Sequence, residues 1–249
     1  MSISLSYIYY KRYFYLYYLI MCGRKTLSKD ITSIIEEMNI EEWEAHDYKP
    51  NYNIAPTNFS PVIINDGVKK TKMMRWGLVP SWSKNDQIGL KMINARLETI
   101  LEKPSFSNLV KNNRCVVLAD GYFEWTKQPH QPYYITHTEN KILPLAGLWT
   151  TWKSSNSHTL STYTILTTSP VRNVNHIHNR MPVILDLDSM DKWTNCNRFT
   201  ISECLNDISL LQSSLKFHPV SKIVNSPKNN SIQNIKEKKQ NQTLNFFSN

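Results

Sequence analysis

The chain has 249 residues, of which 41% are hydrophobic and 11% aromatic, enough to bury one sizeable core and too few for several domains of ordinary size. Its formal charge of +9 is uneven, because residues 1–20 carry +2 and residues 228–249 carry +3, which leaves +4 on the residues between them. This excess suits a groove for a polyanion, although charge alone does not establish nucleic-acid binding.

Residues 1–20 are crowded with Tyr and Ile around a central Lys11-Arg12 pair. A secretory signal carries its charge at the start, followed by an unbroken apolar stretch and a cleavage site, and this segment has neither. It is also interrupted too early to span a bilayer. We therefore interpret residues 1–20 as a leader that is removed or as sequence ahead of a true start at Met21. We favour the second interpretation and expect no membrane anchor.

Ile31, Ile34, Ile35 and Met38 recur at helical spacing after the capping residue Asp30, which predicts a first helix. Beyond it the pattern predicts an extended segment over 50–61 and two strands, over 62–65 and 70–76, that a turn at 66–67 joins. A helix ending at 104 and a helix over 105–112 follow. The remaining predicted elements are strands over 115–119, 133–136, 145–149, 163–168 and 181–185, and helices over 188–196 and 201–211. This succession predicts one α+β, strand-rich domain over 21–227. Residues 228–249 are rich in Asn, Lys, Gln and Ser, which predicts a disordered tail.

The cysteines argue against a metal site. Cys22, Cys115, Cys196 and Cys204 show no C-x-x-C spacing and no histidines at zinc-finger intervals, so neither structural zinc nor a disulfide framework is indicated. His178 forms an H-x-H pair with the histidine two residues before it, but no cysteine or carboxylate stands close to that pair in sequence. We expect no metal and no cofactor.

Cys22 follows Met21 and precedes Gly23-Arg24. If Met21 is the initiator and is trimmed, Cys22 presents a thiol and a free α-amine on adjacent carbons. Such a 1,2-aminothiol condenses with an aldehyde to a Schiff base, which the sulfur then captures to close a thiazolidine ring. An internal cysteine cannot do this, because its nitrogen is part of an amide. The ring-opened deoxyribose of an abasic site in DNA is a suitable aldehyde.

Seven short motifs occur in one order between Met21 and about Asn225. They are Cys22-Gly23-Arg24, Asn53-Ile54-Ala55-Pro56-Thr57, Arg75-Trp76-Gly77-Leu78-Val79-Pro80-Ser81-Trp82, Asn94-Ala95-Arg96-Leu97-Glu98-Thr99, Ala119-Asp120-Gly121-Tyr122-Phe123-Glu124-Trp125, His178-Asn179-Arg180-Met181-Pro182 and Pro219-Val220-Ser221. Together they resemble the SOS-response-associated peptidase family. The resemblance implies a bifurcated or barrel-like mixed β-sheet flanked by helices, with a basic DNA-binding groove.

The resemblance also implies four catalytic residues, each of a type that suits its role. Cys22 is the crosslinking residue, and Asn94 positions it and the abasic sugar by hydrogen bonds. Glu124, placed after a turn at Gly121, is the acid/base carboxylate that opens the sugar ring and moves protons during imine formation. His178 is the active-site imidazole, which suits proton donation and reversal of the crosslink.

Further residues are expected to bind DNA. Arg24, Arg96 and Arg180 resemble phosphate clamps, because a guanidinium fork matches phosphate oxygens. Trp76 and Trp82, with Pro56, resemble an apolar wall against which bases stack. Of the two tryptophans, we expect Trp76 to contact DNA.

The predicted function is an abasic-site sensor that forms a covalent thiazolidine crosslink with single-stranded DNA during the DNA damage response. It is thiol-dependent, with autopeptidase or lyase-type activity besides. Two alternatives remain open: a cysteine peptidase with Cys22 as nucleophile and His178 as base, acting on its own leader, and a non-covalent reader of damaged or modified DNA. We expect a monomer acting in the nucleus, or in the cytoplasm and nucleoid of a bacterium. Residues 240–247 resemble a sliding-clamp-binding peptide with one residue missing from its spacing.

Overall fold

A computed structural model describes residues 23–207 and 214–238. The strands in chain order are β1 (Arg24–Leu27), β2 (Glu42–Trp43), β3 (Asn51–Ile54), β4 (Phe59–Asn65), β5 (Lys69–Trp76), β6 (Asn94–Arg96), β7 (Arg114–Ala119), β8 (Gly121–Trp125), β9 (Pro132–His137), β10 (Leu143–Lys153), β11 (Thr159–Thr168), β12 (Met181–Pro182) and β13 (Leu215–Pro219). The α-helices are α1 (Ile31–Met38), α2 (Pro104–Ser107), α3 (Leu109–Asn112), α4 (Leu187–Thr194) and α5 (Ile201–Asp207). Short 3-10 turns cover Asp86–Lys91, Leu97–Thr99, Lys222–Asn225 and Ile232–Asn234.

Two β-sheets form the body of this described part. One has the strand order β13-β9-β8-β1-β3, and the other has the order β12-β11-β10-β7-β4-β5-β2, with β6 added beside β11. In the second sheet, β5 also pairs in parallel with β11, which closes β5, β4, β7, β10 and β11 into a five-stranded barrel. The other four pairings of the ring are antiparallel. The predicted α+β, strand-rich fold with a barrel-like mixed sheet is therefore confirmed.

Strand β7 lies at the centre of the barrel sheet. It pairs with β10 on one side and β4 on the other, and all six of its residues are buried. A strand covered on both faces has no solvent side, so its sequence is apolar without alternation. This is why the run over 115–119 predicts a strand correctly.

Helix α1 begins and ends where its sequence predicts. The Asp30 carboxylate accepts a hydrogen bond from the Ser33 amide (3.0 Å) and caps the first turn, and Asn39 ends the helix in the left-handed conformation with φ of 50°. Ile34 and Met38 face the core and are buried. The helix predicted over 105–112 is divided between α2 and α3, and the helix predicted over 201–211 is described as α5 up to residue 207.

Strand β8 begins at Gly121, where the sequence predicts a turn, so that prediction is wrong. Gly121 begins a strand and pairs with Thr136 of β9. The reason for a glycine is the Tyr134 ring, because a Cβ at Gly121 would lie 2.5 Å from Tyr134 Cζ. The glycine thus marks a close side-chain approach within a sheet and not a change of chain direction.

The compact domain extends beyond residue 227, where the predicted tail began. Asn234 is fully buried, and Glu237 forms a β-bridge with Val220. Residues 228–238 are therefore part of the domain, held by hydrogen bonds that a polar composition does not reveal. The predicted leader over 1–20, Cys22 and the clamp-like segment over 240–247 lie outside the described residues. Within residues 23–207 and 214–238, no helix is long and apolar enough to cross a membrane.

Lys25 joins the two sheets from within the core. Its side chain lies on β1 and is 1% exposed, and its Nζ donates hydrogen bonds to Ser60 Oγ (2.7 Å) on β4 and to the Leu118 carbonyl (2.9 Å) on β7. Burial lowers the pKa of Lys25 to about 7, although the nearby Asp120 carboxylate acts in the opposite direction. The folded chain therefore holds this lysine as a neutral amine above neutral pH.

We expect Lys25 to make the wild-type protein more stable in mild alkali than at neutral pH. The unfolded chain, with an ordinary lysine pKa of 10.5, binds more protons than the folded chain between about pH 7 and 10.5, so the free energy of unfolding rises with pH across that window and is level below it. From pH 7 to 9.5 the gain relative to Lys25→Met is about 3 kcal/mol. Urea unfolding of both proteins at the two pH values measures it, and equal pH dependence of the two would contradict the assignment.

Candidate functional site

The described chain begins at Gly23, one peptide bond after Cys22. Gly23 is buried and leads into β1, which pairs with β8 through Arg24 opposite Phe123. Continued by one residue, this antiparallel register places Gly23 beside Glu124. Cys22 itself lies outside the described residues, so its predicted role stays a prediction.

Glu124 occupies the middle of the sheet and not a surface strand end. It lies on β8 opposite Tyr133 of β9 and is 3% exposed. Its Oε1 accepts a hydrogen bond from the Trp125 amide (3.4 Å). A carboxyl group held this deeply in a sheet is a fixed group, as acid/base chemistry at one position requires.

Arg24 is a structural residue in this fold, contrary to the predicted phosphate clamp. Arg24 is 5% exposed, and its guanidinium group donates to Asn53 Oδ1 (2.9 Å) and to the carbonyls of Val224 (2.7 Å) and Asn225 (3.1 Å). Two of these hydrogen bonds tie it to the C-terminal segment, and the third ties it to β3. The correction has a simple cause: an arginine in a sequence shows its charge but not its burial.

Asn94 and Arg96 share the short strand β6. This strand runs parallel to β11, with Asn94 opposite Ile165 and Arg96 opposite Thr167. Asn94 is half-buried, whereas Arg96 is exposed. Asn94 lies in a strand and does not cap the following 3-10 turn, whose cap position is Arg96. Of the three predicted phosphate-binding arginines, Arg96 is the exposed one.

Arg180 is bound by Glu98, a residue for which the sequence predicts no role. Its Nη1 and Nη2 donate to the two carboxylate oxygens of Glu98 (2.6 and 2.7 Å), and Nη2 also donates to the Thr167 carbonyl (2.6 Å). Hydrogen bonding by Arg180 holds the pKa of Glu98 below its usual value. The Arg180 side chain is only 12% exposed, so a phosphate must displace Glu98 to use this fork. Glu98 belongs to the same sequence motif as Asn94 and Arg96, and that shared motif is the sequence signal that could have identified it.

His178 is oriented by the backbone next to it. Its Nδ1 accepts a hydrogen bond from the Arg180 amide (3.1 Å). A neutral imidazole that accepts at Nδ1 carries its proton on Nε2, so this contact fixes the tautomer. Arg180 in turn is held by Thr167 of β11, the residue paired with Arg96. Asn94, Arg96, His178 and Arg180 therefore gather at one end of β11, whereas Glu124 lies on β8, where the register of β1 continues to Gly23.

Trp76 is a core residue, which corrects the prediction that it contacts DNA. It is 1% exposed, its Nε1 donates to the Ile93 carbonyl (2.9 Å), and its ring stacks on Tyr163 at a centroid distance of 6.3 Å. Pro56 is also buried. Trp82, by contrast, is 63% exposed. The pattern of aromatic residues predicts a wall, but only burial shows which tryptophan faces solvent.

The motif that contains Trp76 requires a glycine at position 77. Gly77 has φ of +113°, and a Cβ at Gly77 would lie 2.6 Å from the carbonyl oxygen of Gly89. The two glycines allow the loop from Gly77 to approach the turn that leads to β6. The glycine of this motif thus helps to position β6, with Asn94 and Arg96.

The side chains of the described residues offer no group of three or more His, Cys, Asp or Glu residues that could hold a metal ion. Cys115 and Cys204 are buried and Cys196 is half-buried.

Comparisons with known proteins agree with the motifs. A sequence model of the family described as SOS response associated peptidase (SRAP) matches residues 21–227. The abasic site processing protein YoqW of Bacillus subtilis is 40% identical over 220 residues, which cover 85% of this chain and 97% of that protein. The abasic site processing protein HMCES of Gallus gallus is 36% identical over 217 residues, covering 73% of this chain and 64% of that protein.

A solved structure from Bacteroides thetaiotaomicron has the same fold, with a TM-score of 0.78 and 22% identity over 87% of this chain and all of that one. The family match covers most of the chain, and the relative with 40% identity is matched over nearly its whole length. The resemblance seen in the seven motifs is confirmed. The chain belongs to the SOS response associated peptidase family.

Proposed function

We propose that this protein processes abasic sites in single-stranded DNA by bonding covalently to them through Cys22. The observation that carries the proposal is that relatives 33–40% identical over most of this chain are named abasic site processing proteins. The geometry supports it, because the antiparallel register of β1 and β8, continued by one residue, places Gly23, the residue bonded to Cys22, opposite the buried Glu124.

The bond-forming steps balance without a cofactor. The α-amine of Cys22 attacks the sugar aldehyde carbon, and the resulting carbinolamine loses water to give an imine. The Cys22 sulfur then adds to the imine carbon, while its proton passes to nitrogen. One C–N and one C–S bond form, the C=O bond is lost, and water leaves. Because both nucleophiles belong to one residue, the second step is intramolecular and strongly favoured.

The carboxyl, imidazole and amide groups have separate parts in this scheme. Glu124 moves protons as the sugar ring opens and as water leaves the carbinolamine. His178, with its proton on Nε2, donates to the sugar oxygen and serves reversal of the crosslink. Asn94 holds the sugar by hydrogen bonds. The scheme requires that Cys22 be the first residue of the working protein.

Arg96 is the main phosphate contact in this proposal. It is exposed on β6, next to Asn94. Arg180 contributes only after Glu98 is displaced from its fork. Base stacking falls to the exposed Trp82.

Arg96→Ala is therefore expected to weaken binding of an undamaged single-stranded oligonucleotide more than Arg180→Ala does. Loss of one phosphate contact lowers the slope of log K against log salt by about 0.7 for single strands. Arg180→Ala should leave the slope nearly unchanged, because Glu98 already neutralises that charge. Fluorescence anisotropy across a salt series measures both slopes. Equal losses for the two variants would show that Glu98 does not occupy Arg180 in solution.

The proposed function is tested on a denaturing gel with an oligonucleotide that carries one abasic site. Protein whose N-terminus is verified as Cys22 should give a retarded band. The same oligonucleotide after borohydride reduction of the sugar to an alcohol keeps the missing base but lacks the aldehyde, and it should give none. A band with the reduced oligonucleotide, or no band with the aldehyde, would exclude the thiazolidine mechanism.

A second candidate is cleavage of the protein's own leader, with Cys22 as nucleophile and His178 as base. It is favoured by the family's description as a peptidase and by the 21 residues that precede Cys22. Mass spectrometry of the N-terminus distinguishes self-cleavage from translation that starts at Met21. A leader that disappears from wild-type protein but persists in His178→Ala supports self-cleavage. A non-covalent reader of damaged DNA would bind the abasic oligonucleotide without any retarded denatured band.

Further proposals concern the location, the oligomeric state, a second activity and a partner of the protein. We place the protein where single-stranded DNA is exposed, in the bacterial nucleoid or the nucleus, as a monomer. Lyase-type activity would appear as strand cleavage at the abasic site. Binding of a sliding clamp through residues 240–247 remains a separate proposal, tested by deleting that segment.

A further inference from the structure

The C-terminal segment packs on the sheet that β13, β9, β8, β1 and β3 form. We call residues 219–238 the C-terminal strap. Val220 and Val224 are fully buried and pack with Phe123 of β8 and Tyr134 of β9. The Ser221 side chain accepts from the Ile223 amide (3.4 Å) and caps the 3-10 turn that follows. The motif Pro219-Val220-Ser221, to which no role was assigned, thus starts the strap and seats it on the sheet.

Asn53 fastens the strap to β3. Its Nδ2 lies within hydrogen-bond distance of the carbonyls of Val224 (3.2 Å), Ser226 (3.0 Å) and Asn229 (2.8 Å), and its Oδ1 accepts from Arg24 (2.9 Å). Asn53 is 1% exposed. A buried amide with acceptors on three successive parts of one segment fixes the path of that segment.

Asn225 is a strap residue that hydrogen-bonds to side chains of both β1 and β8. Its carbonyl accepts from Arg24 Nη2 (3.1 Å), and its Oδ1 accepts from Trp125 Nε1 (2.9 Å). Arg24 lies two residues after Cys22, and Trp125 lies one residue after Glu124. A single asparagine therefore bridges the strand that follows the proposed nucleophile and the strand that carries the proposed acid/base.

We propose that Asn225 is a positioning residue for the crosslinking reaction, holding β1 and β8 in the relative placement that brings the Cys22 nucleophiles to the Glu124 carboxyl. This inference rests on the proposed function. Asn225 contacts Arg24 and Trp125, which lie close in the chain to Cys22 and Glu124, so we expect it to change the rate of the reaction by positioning these two strands. Misplacement of reacting groups by about 1 Å can cost on the order of a hundredfold in rate.

The test is the single-turnover rate of crosslinking, measured against the concentration of abasic oligonucleotide. Asn225→Ala removes the Oδ1 acceptor and should lower the maximal rate roughly tenfold, with an unchanged half-saturating concentration. Asn225→Asp keeps an acceptor oxygen for Trp125 and should restore most of the rate. Trp125→Phe removes the donor and should slow the reaction as Asn225→Ala does, and combining the two should add little, because both remove one interaction.

Asn230→Ala is the matched control, since Asn230 lies in the strap and its Oδ1 accepts from the Tyr52 amide (2.8 Å) on β3. It should leave the rate unchanged. An equal slowing by Asn230→Ala, or a normal maximal rate in folded Asn225→Ala, would overturn the inference while wild-type crosslinking still supports the proposed function. No crosslink by the wild type would remove the proposed function itself. If Asn225→Ala does not fold, Trp125→Phe decides alone, and a wild-type rate in that variant overturns the inference.

Discussion

Cys22→Ala is expected to abolish the stable crosslink and to leave an imine in its place. Alanine keeps the α-amine and loses the sulfur, so the amine still attacks the aldehyde but nothing captures the imine carbon. The imine hydrolyses on denaturation. Borohydride added during the reaction reduces it to a stable amine, so the retarded band should return only in the presence of borohydride.

A protein with one extra residue ahead of Cys22 is the matched control, because it keeps the thiol and removes the amine from that residue. It should give no thiazolidine. A stable band from this extended protein would show that the Cys22 amine is not needed. A stable band from Cys22→Ala without borohydride would show that another residue forms the bond.

DNA affinity provides the second readout for Cys22→Ala. The proposed contacts with phosphates and bases come from Arg96 and Trp82, which are exposed and distant in sequence from Cys22. Anisotropy with an undamaged oligonucleotide should therefore give the same dissociation constant for wild type and variant. This separates loss of chemistry from loss of folding.

Local sequence patterns predict the elements whose stabilisation is local. Helix α1 follows from its Asp30 cap and the spacing of Ile34 and Met38, and β7 follows from its unbroken apolar run. The barrel closure could not be predicted in this way. It depends on the parallel pairing of β5 with β11 through Trp76 and Tyr163, residues that are far apart in the chain.

The site is predictable in residue type and less so in role. Charge and aromaticity select Arg24 and Trp76, but burial decides what they do, and both are enclosed by the fold. Glu98 and Asn225 are polar residues in a sequence rich in them, and only the bidentate contact with Arg180 and the bridge from Arg24 to Trp125 distinguish them. Roles that depend on contacts between distant segments need coordinates.

Glu124→Gln is expected to slow crosslink formation by about a hundredfold, the lower end of the usual range for loss of a general acid or base. Glutamine keeps the shape and the Oε1 acceptor for the Trp125 amide, so β8 should remain intact, but it cannot take up or release the proton that ring opening and loss of water require. Because Glu124 is 3% exposed, DNA affinity should stay at the wild-type value.

Single-turnover gels with the abasic oligonucleotide measure the Glu124→Gln rate, and the end point separates two explanations. If Glu124 only moves protons, the slow reaction should still reach the wild-type amount of thiazolidine, because a catalyst of proton transfer does not change the equilibrium. A lower final yield with normal folding would instead assign Glu124 to stabilising the product. A wild-type rate would remove Glu124 from the chemistry altogether, and its burial beside Gly23 would then serve only the packing of β1 on β8.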